Sequence, residues 1–282
     1  MNNHRNGAKL ERVFAVLGLL ATGCAPLEAQ GDVLHVVAKR RHASEEEVQS
    51  MLEAGEALLP EIAALHPEDI VMDDAIRVEL HGRYGESPYV DDEGTVHMWR
   101  FSKAEGGYRA LYAHELVHAI AYDDLVGPAV EDIDNAGFYL EGWAEYVALL
   151  VDPGKTGFSL FGHDEDVVVG HWLLQGGPSL ADYRENHEEL SLRCQGQSYI
   201  LRASWFRYVD EELGREVLLD LAAGREGWDR AAVEAVLGAS LEQVDGDWEA
   251  WAMARYDAVP DADAKARAYR TQKMAWYDPC LD

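Results

Sequence analysis

Two histidines four residues apart, His114 and His118, constrain the fold of this chain more than any other feature of its sequence. Positions i and i+4 share one face of an α-helix, so both imidazoles can bind one metal ion if this segment is helical. Glu115 stands about 100° around the helix from His114, where its carboxylate can take a proton from a water molecule on the metal. The spacing His-Glu-x-x-His is typical of zinc hydrolases, and it predicts a zinc site on a helix.

The residues around the motif favour a rigid, buried helix over a chance match on an exposed one. Apolar side chains recur at helical spacing through residues 108–122. They are Leu111, Leu116, Val117, Ile120 and Ala121. A helix with this pattern packs one face against a core, which would hold both histidines in place.

A zinc site with two histidines lacks a third protein ligand, and Glu141 is the best candidate. Glu141 and Glu145 are again four residues apart, in an apolar segment at residues 138–149 that has helical spacing. One carboxylate can bind the metal while the other hydrogen-bonds to a ligating histidine. The alternative is that both glutamates belong to a solvated acidic helix face. The two histidines upstream favour the metal site over this alternative.

The two motifs together, His-Glu-Leu-Val-His and Leu-Glu-Gly-Trp-Ala-Glu-Tyr, resemble those of the gluzincin metallopeptidases. This group includes thermolysin and the aminopeptidase N family, and the chain most resembles the short bacterial proteins called peptidase MA-like. The resemblance covers roughly residues 75–256. It implies that Glu141 is the third zinc ligand. It also implies that Glu145 does not bind zinc itself but orients one of the ligating side chains.

Residues 198–214 are similar to an aminopeptidase segment in which a tyrosine at the start of a helix donates a hydrogen bond to the oxyanion. By that resemblance Tyr199 is the donor. Tyr183 and Tyr208 are rival candidates, and Tyr199 could instead serve only as core packing.

The resemblance also implies an α+β fold of gluzincin type. In that fold a small N-terminal mixed sheet with helices, at residues 32–122, and an all-helical lobe, at residues 123–282, meet at the zinc. The sequence predicts strands at residues 32–38, 75–81 and 94–101 and a helix from Ser44, with a capping box, toward Leu65.

In gluzincins the strand before the zinc helix is an edge strand that holds the substrate backbone in an extended form, and residues 95–101 match that position. His97, within it, is more naturally a half-buried strand histidine than a ligand contact. Frequent glycines between residues 152 and 193 predict no long regular element there, and His163 and His171 in this region are weak ligand candidates. From residue 197 onward the pattern is helical, with Gly214, Gly224 and Gly238 as stops.

The N-terminus has the features of an export signal: Arg5, Lys9 and Arg12 precede an apolar run at residues 13–21. The run is too short to span a bilayer. Residues 20–24 end in Cys24 and resemble the lipobox of bacterial lipoproteins, although leucine stands one position early. We expect an exported protein, periplasmic or at the cell surface, anchored by lipid on Cys24 and joined to its domain by a tether at residues 25–31. Ordinary cleavage near Ala25 or Ala29 is the alternative.

Export also bears on the two other cysteines, Cys194 and Cys280, because an oxidising compartment favours a disulfide between them. Two unpaired thiols are the alternative.

The strongly acidic composition, with a net charge of −28, excludes nucleic acid and anionic lipid surfaces as partners. Apart from a lipid on Cys24, a peptide or protein substrate is the partner that we expect.

The function predicted from these residues is hydrolysis of peptide bonds by a zinc-dependent metallopeptidase. The alternative is a surface lipoprotein whose zinc is structural and whose task is binding. Glu115 argues against the alternative, because a structural zinc site closes its fourth position with protein and needs no base. The chain has no Gly-x-Met-x-Asn motif before the zinc helix, so aminopeptidase activity is not supported.

Overall fold

The structure is a computed structural model that describes residues 26–65, 75–82, 88–91, 93–99, 108–125, 133–153, 164–186, 195–224 and 227–273. The chain is a mixed α+β protein that is mostly helical, in agreement with the predicted class. It divides into two compact units: Met1–Glu56 with Asp74–Ser102, and Ala57–Asp73 with Lys103–Asp282. The predicted export signal, Cys24, Cys194, Cys280 and His163 lie outside the described residues.

The first unit contains a five-stranded mixed sheet of order β1-β2-β3-β5-β4. The strands are β1 (Leu27–Gln30), β2 (Leu34–Ala38), β3 (Ile76–His81), β4 (Tyr89–Val90) and β5 (Val96–Trp99). Strands β2, β3 and β5 are parallel, whereas β1 and β4 pair antiparallel at the two edges. Strand β1 occupies most of the segment that was predicted to be only a tether.

Helix α1 (Glu45–Ala63) follows β2 and begins at the predicted capping box. The amide of Glu47 donates to Ser44 Oγ at 3.3 Å, and the amide of Ser44 donates to Glu47 Oε2 at 2.8 Å. Glu56 on α1 accepts hydrogen bonds from the amides of Val33 and Leu34, which fixes the second half of the helix against the start of β2.

Alternation along β3 separates an apolar face from a polar one, as its sequence predicts. Ile76, Val78 and Leu80 are buried. Glu79 and His81 point to the other face and are half-buried. His97 on β5 is half-buried on the same polar face, because it pairs with Glu79 across the parallel ladder.

The second unit is built from helices. They are α2 (Tyr108–Leu125), α3 (Ile133–Val151), α4 (Glu165–Gln175), α5 (Leu180–Glu185), α6 (Gln195–Tyr208), α7 (Arg215–Ala223), α8 (Arg230–Leu237), α9 (Leu241–Ala258) and α10 (Ala262–Lys273). A π-helical turn, Val209–Leu213, follows α6. Gly224 and Gly238 end α7 and α8 in the left-handed conformation, as predicted.

Helices α4 and α5 contradict the prediction that residues 152–193 hold no long regular element. Gly170, taken as a breaker, lies inside α4 where a Cβ would stand 2.4 Å from the Tyr256 side chain. This glycine allows close packing of α4 against α9. Asp164 caps α4 by accepting from the amide of Asp166, and Gly176 ends the helix at a φ of 68°.

Helix α3 packs against both α2 and α6 and forms the centre of the second unit. Its buried aromatic side chains Phe138 and Trp143 contact Trp205 and Phe206 of α6. In the part of the chain that is described, no helix is both long enough and apolar enough to cross a bilayer.

Candidate metal centre

His114 and His118 lie on one face of α2, as the spacing predicts. Their Nε2 atoms are 3.1 Å apart, and the two rings meet edge to face at a centroid distance of 4.7 Å. Leu116 and Val117, between the two histidines in sequence, are fully buried. The apolar run therefore holds both imidazoles in fixed positions within the helical unit.

Glu141 reaches both histidines from α3. Its Oε2 atom is 3.2 Å from Nε2 of His114 and 3.4 Å from Nε2 of His118. Donor atoms at the corners of a tetrahedron with zinc bonds of 2.0–2.1 Å are separated by roughly 3.3 Å. The three donors thus fit one zinc ion, and the His₂Glu set is one that catalytic zinc sites use.

Glu145 stands one turn beyond Glu141 and contacts the other nitrogen of a histidine. Its Oε2 atom is 3.1 Å from Nδ1 of His114, and the carboxylate is buried. A carboxylate in this place holds a proton on Nδ1 and leaves Nε2 facing Glu141. The role predicted for Glu145 matches the contact that it makes.

Glu115 is buried beside the three donors, with 5% of its surface exposed. Burial raises the pKa of its carboxyl, and the charges of His114 and His118 oppose that rise. A carboxyl with a raised pKa can hold a proton between two steps of a reaction, which is what a general base and acid must do.

The site favours positive charge. Although burial opposes protonation of His114, its hydrogen bonds to Glu141 and Glu145 raise its pKa to about 10. Burial likewise opposes ionisation of Glu141, yet the charge of His118 and the bonds from both histidines hold its pKa well below the usual range. A metal cation can take the place of the proton on His114.

Tyr199 lies next to the centre on α6. Its ring centroid is 5.6 Å from that of His114, at an interplanar angle of 71°. The negative charge of Glu141, followed by burial, raises the pKa of the Tyr199 phenol well above its usual value. The phenol therefore stays protonated and able to donate. Helix α6 begins at Gln195, so Tyr199 stands in its first turns but does not open it.

The rival tyrosines have other surroundings. The ring of Tyr208 packs edge to face on Trp251 at 5.7 Å, and Tyr183 is fully buried on α5. Their described contacts are those of core residues.

Arg202 was not predicted as part of the site. Its guanidinium is fully buried and lies over the Tyr199 ring, with Cζ 4.8 Å from the centroid. It is held by Ser198, which accepts from Nε at its carbonyl and from Nη2 at its hydroxyl, both at 3.0 Å. The signal in the sequence was an arginine at a core position of an apolar helix, where an unpaired charge is costly.

Among the described residues, a second group could also converge on one ion: Glu79, His81 and His97 on the sheet. His171 belongs to neither group.

No protein-family profile matches the chain, and none of the characterised proteins compared with it is significantly similar in sequence.

Proposed function

We propose that this chain is a zinc-dependent metallopeptidase of the gluzincin type. The observation that carries the proposal is the convergence of three donor atoms from α2 and α3, all within 3.4 Å of one another. Two imidazoles and one carboxylate leave a fourth tetrahedral position for water or substrate.

Each neighbouring side chain has a task in peptide hydrolysis. Zinc, when bound, would acidify a water molecule and polarise the peptide carbonyl. Glu115, buried beside His114 and His118, accepts the proton of the attacking water and passes it to the leaving amine. Tyr199, whose ring centroid lies 5.6 Å from that of His114, donates a hydrogen bond to the developing oxyanion. Glu145 orients His114.

The strand that precedes α2 was predicted to hold the substrate backbone. Residues 96–99 of that segment form β5 in the first unit, and His97 and Val96 pair with β4. The prediction took this segment for an edge strand, and that part of it is wrong: β5 lies between β3 and β4, and β4 occupies the outer side of Val96 and His97. Substrate binding along residues 95–101 itself stays a prediction.

Export and lipid anchoring on Cys24 belong to the same proposal. If the lipobox-like residues 20–24 direct acylation, Cys24→Ala releases the protein from the membrane fraction. Unchanged membrane association, or no incorporation of labelled fatty acid into the wild type, contradicts the anchor.

The catalytic assignment is tested with zinc-loaded wild type and Glu115→Gln on a mixed peptide pool, by mass spectrometry of new termini. General acid and base catalysis contributes about 10² to 10⁴ in rate, so Glu115→Gln should lose turnover by that factor with its zinc retained. Glu249→Gln, a change to an exposed carboxylate on α9, is the matched control and should cleave normally.

Two results would overturn the catalytic assignment. Full turnover by Glu115→Gln would remove Glu115 as the base. No cleavage by a zinc-loaded wild type would favour the alternative, a zinc-containing surface lipoprotein that acts as a binding module.

A further inference from the structure

The polar face of the sheet brings together three side chains of metal-binding type from two neighbouring strands. Glu79 and His81 are two residues apart on β3 and so share a face. His97 on the parallel strand β5 is the register partner of Glu79. One donor atom from each residue lies within 4.8 Å of the others.

The two imidazoles already share one hydrogen. Nε2 of His81 is 2.9 Å from Nδ1 of His97, and the rings stack at a centroid distance of 5.2 Å. Only one of these nitrogens can carry the hydrogen between them, so the other must present a lone pair. Removing that hydrogen leaves two lone pairs that face a common point, as two ligands of one ion do.

Asp91 determines which nitrogen of His97 faces His81. Its Oδ2 atom is 2.8 Å from Nε2 of His97, while Oδ1 accepts from the amides of Glu93 at 3.0 Å and Thr95 at 2.8 Å. The backbone thus fixes the carboxylate, and the carboxylate holds a proton on Nε2. Nδ1 of His97 is left as the ligand atom, the same arrangement that Glu145 gives His114.

We propose that Glu79, His81 and His97 form a second metal-binding site, independent of the helical one, for a divalent transition-metal ion such as Zn²⁺. Two imidazoles and one carboxylate suit zinc, copper or nickel and are a poor set for calcium or magnesium. The ligands stand on hydrogen-bonded strands, which keeps them in register without metal.

The sheet site should bind zinc more weakly than the helical site. Arg77 Nη2 bonds to Oε1 of Glu79 at 2.8 Å, so the carboxylate that would ligate the ion is shared with a guanidinium. The Glu79 side chain is also 35% exposed, whereas the corresponding carboxylate of the helical site, Glu141, is 25% exposed. Water therefore competes more effectively on the sheet.

The test is equilibrium dialysis of the purified chain against Zn²⁺, with bound metal counted per chain. The variants are His81→Ala/His97→Ala in the sheet and His114→Ala/His118→Ala in the helices. We expect two equivalents in the wild type and one in each double variant. His35→Ala is the control, because His35 on β2 pairs with Glu28 outside the cluster. It should keep both equivalents.

The two proposals fail in different ways. Retention of the wild-type count by the sheet variant, with an unchanged circular dichroism spectrum, overturns the second site alone. Retention by the helical variant overturns the proposed catalytic zinc site and leaves the second site standing.

Asp91→Asn tests the second site without removing a ligand. It replaces the test with His81→Ala/His97→Ala if that double variant fails to fold. Loss of such a supporting carboxylate should weaken zinc binding at the weaker site by about 10- to 100-fold. An unchanged affinity at the weaker site would contradict the proposal.

Discussion

Glu115 and Glu145 are both buried carboxylates beside His114, yet the proposed function gives them different tasks. Glu145 bonds to Nδ1 of the imidazole and therefore acts through that ring. Glu115 follows His114 on the same helix, where its carboxyl is buried and its pKa is raised. The i, i+4 spacing of both motifs was enough to predict which side chains meet.

The buried Arg202 shows what spacing alone could not predict. Its position over the Tyr199 ring depends on the turn of α6 against α3, where its Nη1 also donates to the carbonyl of Gly137 at 3.3 Å. Contacts of this kind come from tertiary packing. The periodicity of one helix does not show which other helix packs against it.

At the same scale, Tyr199→Phe should lower kcat by roughly 10² to 10³ with little change in KM, because the oxyanion bond forms in the transition state. Tyr208→Phe, a change next to Trp251, is the matched control and should leave kcat near normal. Both are measured on one cleavable peptide with zinc content checked. A near-normal kcat in Tyr199→Phe would exclude that residue from the reaction.

At the scale of elements, α3 is the helix on which the centre depends, since it carries Glu141 and Glu145 and packs on both α2 and α6. Gly142, next to Glu141, permits the close approach of α6. A Cβ at this position would stand 2.7 Å from the ring of Phe206. The glycine is therefore part of the packing that positions Glu141 and Glu145 against the two histidines.

Gly142→Ala should lower the free energy of unfolding by about 1–3 kcal/mol, the usual cost of overpacking a core. Gly246→Ala is the control: this glycine is exposed within α9, with nothing within 4 Å of an added Cβ. It should raise stability by up to about 1 kcal/mol, because alanine favours the helix. Urea denaturation measures both, and equal effects would refute the packing argument.

The difference between local sequence pattern and tertiary packing also explains which elements could be predicted from the sequence. Strands β2, β3 and β5 and helices α1, α2 and α3 follow clear periodicities or caps, and their existence was predicted. Helix α4 was missed because Gly170 was interpreted as a local helix breaker. The glycine instead makes room for the Tyr256 side chain on α9, a helix far away in sequence. Strand β1 was missed because four residues at an edge carry too little pattern.

For the molecule as a whole, the helical site links stability to pH and to metal. The pKa of His114 in the metal-free fold is about 10, above its ordinary value of 6.5. A raised histidine pKa stabilises the fold fully below pH 6.5, and that contribution is lost as the pH rises through about 10.

Zinc-free wild type should therefore exceed zinc-free His114→Gln in stability by a margin that shrinks by roughly 4 kcal/mol between pH 6 and pH 10. Urea denaturation of both chains at pH 6, 8 and 10 measures the margin, and the comparison cancels the contribution of titrating groups that do not interact with His114. A margin independent of pH would mean that His114 is not held protonated by Glu141 and Glu145.

The most direct test of the central claim is the zinc content of Glu141→Ala and Glu115→Gln, measured by elemental analysis after dialysis against a weak chelator. Glu141 supplies a donor atom 3.2 Å and 3.4 Å from the two imidazoles, so its loss should leave the chain one equivalent of zinc below the wild type. Glu115→Gln should hold as much zinc as the wild type. A wild-type zinc content in Glu141→Ala, or a missing equivalent in Glu115→Gln, would contradict the assignment of ligand and base.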